Sequence, residues 1–347
     1  MEKVKRINLE KIQSSISAFY DSHKNLVKVI VSFFWVGVIG YLLYLGWKSR
    51  DELIYSFNNA DWPQFVWVIL AYLSTLIFAS CTWASIMHTF DQTQSWWMHV
   101  RIYLTTLVAR RLPGTVWYIG GRMALYKQLG VSSVKTASAS GVEVVTGFVA
   151  NSILALIFLP FGLGISNYWL IPLSLAALFG LGILIPSNLA KVMIRLKNPL
   201  PQPIKGQLIA LWLILRMAQV LAGGTMVFLT VKVFYPISTG LLFLALGARA
   251  IAGAASMLTF LLPSSFGVYD LTMLGFLATI LPASLATVIT VLIKLYSSAF
   301  EAIFGLIFFL ILRRSPEFKQ ITLNTIANKP AEDLSPTEPL SEHNSEG

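Results

Sequence analysis

Long apolar blocks separated by short polar breaks organise this chain. They run over residues 27–47, 65–87, 142–159, 169–185, 208–231, 241–262 and 283–312. A helix needs about 20 apolar residues to cross the hydrocarbon core, so all seven are candidate spans. An eighth block, 268–281, is short for an upright crossing and reads as a short span or a re-entrant helix. The pattern predicts an all-α integral membrane protein, a polytopic bundle of about eight spans.

Lysine and arginine set the expected orientation, because cationic loops stay on the cytoplasmic side. Lys3, Lys5, Arg6, Lys11, Lys24 and Lys28 put the amino-terminal segment, residues 1–26, inside. No small-residue cleavage site follows the first block, which therefore reads as a retained span. Segment 48–64, with Asp51, Glu52 and Asp61, falls outside; segment 101–135 and the stretch holding Lys191, Arg195, Lys197 and Lys205 fall inside. Arg313 and Arg314 also belong inside, which requires an even number of crossings. The expected organisation is a membrane domain over 27–312, followed by a disordered, acidic cytoplasmic tail over 315–347. Both termini are expected inside a multi-pass protein of the plasma membrane.

Composition agrees. With 347 residues, 56% hydrophobic and 12% charged, and a mean hydropathy of +0.69, soluble enzyme classes drop out. Cys81 stands alone, so intrachain disulfides and CxxC motifs are excluded; His23, His88, His99 and His343 have no metal-ligand spacing. Neither a cofactor nor a metal is expected.

Charge within the apolar region carries the functional signal. Between residues 92 and 316 there are sixteen lysines and arginines but only three acids, Glu143, Asp270 and Glu301. A charge at mid-membrane costs on the order of 3 kcal/mol and therefore faces protein or a wet cavity. Arg216 and Arg249 fall well inside their blocks, and Lys294 and Glu301 lie two helical turns apart on one face. Glu143, Gly147 and Asn151 recur every fourth residue, and the run of alanines and glycines around Arg249 permits close helix approach. A plain structural reading pairs Arg216, Arg249 and Lys294 with the three acids, three against three, holding spans together. It leaves Arg101, Arg110, Arg111, Arg122, Lys127 and Lys135, which share a segment without any acid; retention inside and contact with anionic lipid suffice for Arg101, Lys127 and Lys135.

Two stretches interrupt the helical pattern. In 109–122, Pro113-Gly114 and Gly120-Gly121 are helix breakers, and in 262–270 Pro263 and Gly267 repeat the theme. The spacing predicts two broken or re-entrant segments in matching positions of two halves. Broken helices in corresponding places point to a transport site, because irregular backbone at membrane depth persists where it is buried or lines a cavity.

The Leu112-Pro113-Gly114 break with Gly121-Arg122, then Gly130-Val131-Ser132, Glu143, and the later run from Leu262 to Asp270 resemble the transmembrane region of lysylphosphatidylglycerol synthases, a flippase-like family. The resemblance covers roughly 27–312. Tyr269 and Asp270 stand where the family commonly has arginine and glutamate, and Val144 stands where an arginine often follows the first-half glutamate. The resemblance implies a module that binds and translocates an anionic or aminoacylated lipid. In the full synthases a soluble aminoacyl-transfer domain follows; a short acidic tail stands here, so the synthase reaction itself is not expected.

The leading expectation is thus a lipid transporter. Arg110, Arg111, Arg122, Arg216, Arg249 and Lys294 would bind the head group, while Glu143, Asp270 and Glu301 balance the charge. Its partners would be anionic membrane lipids and a separately encoded lipid-modifying enzyme, with no nucleic acid. The alternative is a membrane enzyme or accessory subunit of glycolipid or aminoacyl-lipid metabolism, for which the chain offers only an isolated Ser132-x-x-Lys135 match. A third reading is a scaffold whose charges are purely structural.

Overall fold

A computed structural model describes residues 50–111, 116–163, 170–196, 202–258 and 267–315, with a few single positions beside them. Among these residues every regular element is helical: α1 (Arg50–Asn58), α2 (Phe65–Phe90), α3 (Trp96–Thr105), α4 (Val116–Gln128), α5 (Ser133–Leu163), α6 (Leu170–Leu184), α7 (Pro186–Arg195), α8 (Gly206–Phe234), α9 (Leu241–Leu258), α10 (Val268–Leu277) and α11 (Ala283–Arg314). Short 3-10 turns at Trp62–Gln64 and Val108–Arg111 precede α2 and follow α3.

Five helical stretches are long and apolar enough to cross a membrane: Trp62–Phe90, Ser133–Pro160, Gly206–Phe234, Leu241–Leu258 and Ala283–Arg314. They coincide with five of the expected blocks. The pair Ile171–Leu184 and Pro186–Arg195, bent by 73°, has the composition of a sixth if it is one broken span rather than a re-entrant loop. Pro186 explains the bend, since it pushes Ile185 to extended ψ (129°) and cannot continue the hydrogen-bond ladder. The described residues are therefore all-helical and carry the long apolar helices of a multi-pass membrane protein. The block at 27–47 lies largely outside the described residues, as do the acidic tail and the basic amino-terminal segment.

Block 268–281 contains only α10, whose 10 residues span about 15 Å, half the hydrocarbon thickness. Gly267 precedes it with φ 102° and ψ −17°, a left-handed conformation suited to glycine. Gly120 and Gly121 do not break a helix: α4 runs through both, a correction to the expected break. Each glycine costs a helix about 1 kcal/mol, and packing of α4 against α5 offsets that. Pro113, Gly114 and Pro263 lie outside the described residues.

Segment 101–135 is also more than the basic loop its charge suggested. Its described residues form the end of α3, the 3-10 turn, α4 and the first residues of α5, with Ile102 and Tyr103 fully buried. Helix α3 packs on α2 and α11. A Cβ on Gly305 of α11 would overlap the Val108 side chain, which marks how closely that helix passes the turn.

The most extensive packing joins α5 to α9 and α2 to α8. Small residues permit the α5–α9 and α8–α9 contacts. A Cβ on Gly247 would stand 3.2 Å from the Leu159 nitrogen, and one on Gly224 would stand 2.8 Å from the Leu246 Cα. Large apolar side chains such as Leu175, Leu178 and Phe179 of α6 and Leu306 and Phe309 of α11 point outward and exposed, the arrangement expected of a surface facing lipid.

Candidate functional site: a charged core and a polar cavity

Two charged clusters lie inside the bundle. In the first, Glu143 of α5 is shared by two arginines. Arg122 Nη1 of α4 donates to Glu143 Oε2 at 2.5 Å, and Arg216 Nη2 of α8 donates to Glu143 Oε1 at 3.1 Å. Arg216 also donates to the Glu143 carbonyl at 3.3 Å and, through Nη1, to Gln219 Oε1 at 2.6 Å. The side chains of Arg122, Glu143 and Arg216 are 1%, 2% and 4% exposed.

Three aromatic rings complete the enclosure of Arg122. Its guanidinium lies 3.9 Å from the ring centre of Trp83, 4.7 Å from Tyr103 and 4.9 Å from Tyr118. These rings supply cation–π attraction where water is excluded. Gly147 and Asn151, one and two turns beyond Glu143, face α9 as the four-residue spacing predicts. A Cβ on Gly147 would overlap Met257, and one on Gly253 would overlap Asn151.

The second cluster lines a cavity of about 300 Å³ among α2, α8, α9, α10 and α11. Arg249, Asp270, Lys294 and Glu301 all reach its wall, with Tyr72 and Gln219. Lys294 Nζ donates to Asp270 Oδ2 at 2.7 Å. Tyr72 donates its hydroxyl to the Ser297 carbonyl at 3.1 Å, tying α2 to α11. Arg249 rests over the Tyr269 ring, 5.1 Å from its centre. Among the described residues it makes no ion pair or hydrogen bond.

The expected head-group residues therefore divide. Arg122 and Arg216 belong to the sealed triad, where both hydrogen-bond Glu143 and its carboxylate offsets one of their two charges. Arg249 and Lys294 face the cavity, together with Asp270 and Glu301. Arg110 and Arg111 end the 3-10 turn, and their side chains lie outside the described residues. Gln219 joins the clusters, accepting from Arg216 while lining the cavity. Tyr72, Gln219 and the rings around Arg122 were not legible as site residues, because within an apolar block an aromatic ring or a lone amide reads as packing; Tyr269 stood out only as a departure from the family's motif. The described residues contain no group of three potential metal ligands.

Next to the triad, Tyr126 of α4 accepts from Trp83 Nε1 at 3.1 Å and meets His99 Nδ1 at 2.9 Å. Burial pushes the His99 pKa down from its ordinary 6.5 to about 4; the neighbouring His88 adds to this and Asp91 opposes it. Asp91 is in turn held by Lys135 Nζ at 3.1 Å and by the Thr93 hydroxyl at 2.6 Å. Lys135 thus serves an ion pair, leaving the Ser132-x-x-Lys135 match no catalytic geometry.

This arrangement defines a helical membrane protein with a polar cavity whose wall carries two cations and two acids. No protein-family model matches the chain, and no curated protein matches it either.

Proposed function

We propose that this protein binds the phosphate-bearing head group of an anionic or modified lipid in the polar cavity and carries it across the bilayer, while the lipid's chains stay in hydrocarbon. The observation that carries this reading is Arg249. It is a half-buried guanidinium on a cavity wall, stacked on Tyr269 and free of any acid partner among the described residues. Guanidinium matches phosphate through two parallel donors. Lys294 adds a second positive charge, and Asp270 and Glu301 keep the empty cavity near neutrality.

The resemblance to the lysylphosphatidylglycerol synthase transmembrane region supports the same reading. With it we propose eight crossings, both termini on the cytoplasmic side of the plasma membrane, and interruptions at matching places in two halves. The sealed triad would hold the bundle together, so transport depends on Arg249 and Lys294 rather than on Arg122.

Reconstitution into liposomes tests this directly. Labelled anionic phospholipid should change leaflets faster than in protein-free vesicles, and Arg249→Gln should reduce that rate at least tenfold while the protein stays folded. Equal rates with and without protein would overturn the proposal.

A further inference from the structure

A second cavity, of about 450 Å³, lies on the same α2–α8 seam where α2 ends and α8 begins. Its wall carries His88 and Gln92 after the apolar part of α2, Trp96 from α3, and Gln202, Lys205 and Gln207 around the start of α8. The side chains of Gln92, Gln202, Lys205 and Gln207 are exposed and make no hydrogen bond or ion pair among the described residues. One free cation, three free amides and an indole therefore face one hollow. Open to water and hydrogen-bonded to no other described side chain, the cation and the amides are available to a ligand seated in the hollow.

We infer that this hollow is a binding site for a phosphate ester bearing hydroxyl groups, a phosphoglycerol or a phosphosugar. Lys205 meets the phosphate as a point charge. The amides of Gln92, Gln202 and Gln207 each offer donors and an acceptor to the hydroxyls, and the Trp96 ring offers a flat apolar face to the carbon-bound hydrogens. Both a membrane lipid's head group and a free phosphate ester present this chemistry.

Its position relative to the first cavity gives the site a role. Helices α2 and α8 run antiparallel, and both cavities open along their contact. On α2 the first cavity ends at Ala79 and the second begins at Ser85; on α8 the corresponding residues are Gln219 and Leu211. At 1.5 Å per residue the wall between them is about 9 to 12 Å thick. That wall holds Trp83 and Trp212, both fully buried, and Trp212 Nε1 donates to the Ser85 hydroxyl at 3.0 Å. The second cavity is a loading station, separated from the transport cavity by the Trp212–Ser85 bridge. This role rests on the transport reading; the binding itself does not.

The experiment uses the full chain in phosphatidylcholine nanodiscs, with Arg249→Gln present to silence the first cavity. Calorimetric titration with dihexanoyl-phosphatidylglycerol and, separately, with glycerol 3-phosphate reads the second. Binding of either probe is expected, weakened about fivefold by Lys205→Gln and further by Gln207→Ala, while Lys232→Gln on the same helix changes nothing. Preference for the lipid assigns the site to a head group, and equal binding of both assigns it to free esters as well. Absence of binding, or binding indifferent to Lys205→Gln and Gln207→Ala, overturns the inference. Liposome transport by the otherwise unaltered protein separates the two proposals. Transport without Lys205-dependent binding sinks the loading station alone; Lys205-dependent binding without transport sinks the transport reading and leaves the site.

Discussion

Asp270 and Lys294 repeat, with reversed polarity, the pairing of Arg122 and Glu143. In each case a short helix, α4 or α10, supplies one charge and the long helix after it supplies the opposite one. The partners are 21 residues apart in the first pair and 24 in the second. Their surroundings differ sharply. Arg122 and Glu143 are 1% and 2% exposed, Lys294 and Asp270 39% and 27%. The first pair is a fixed joint in dry surroundings, and the second borders the cavity where a ligand can compete for either partner.

Glu143→Gln should therefore be strongly destabilising. It leaves two buried guanidinium groups without a counter-charge, and breaking a buried pair from one side costs about 3–5 kcal/mol. Thermal unfolding in detergent checks this; a loss under about 1 kcal/mol would contradict the shared-carboxylate arrangement.

The outer pair should behave differently. Because Lys294 and Asp270 are partly exposed, Lys294→Gln or Asp270→Asn should each shift stability by no more than about 1 kcal/mol. Both should nevertheless slow lipid transport, and the exchange Asp270→Lys with Lys294→Asp should restore stability more fully than transport. Full recovery of both would make the pair purely structural.

Acidification should weaken the protein through His99. Its folded pKa of about 4 lies below the ordinary 6.5, so the unfolded chain takes up the proton first. Stability from this group is full above pH 6.5 and falls as pH drops from there through 4. The midpoint of unfolding should decline across that window, less steeply for His99→Asn than for the unaltered chain. Parallel profiles would remove His99 from the cause.

Gly224→Ala should cost about 1–3 kcal/mol, because the new Cβ would meet the Leu246 backbone 2.8 Å away, forcing α8 and α9 apart. Gly141→Ala, where nothing lies within 4 Å, should be neutral or slightly stabilising. Comparing their unfolding midpoints tests whether close helix contact holds this part of the bundle.

Hydropathy alone located the long helices, since a run of apolar residues has few options in a chain this greasy. The four-residue spacing of Glu143, Gly147 and Asn151 correctly gave a face turned inward. The partition of the arginines was hidden. Arg122 sits in a basic, glycine-interrupted stretch that reads as a loop, and its enclosure depends on Trp83 and Tyr103, which come from two other helices. Such long-range neighbours leave no periodicity in the sequence. Gly120 and Gly121 misled for a related reason, because local propensity is a weak prior once a helix is packed against another.

The shared carboxylate of Glu143 also constrains how this sequence can drift over generations. Losing Glu143 leaves two uncompensated guanidinium groups in the interior, whereas losing Arg122 or Arg216 alone leaves the other arginine in a balanced pair. A lineage can exchange these three positions for greasy side chains, but every route in single steps passes through a genotype with an unpaired interior charge. Laboratory selection starting from Glu143→Gln should accordingly recover second-site changes at positions 122 and 216 before any others.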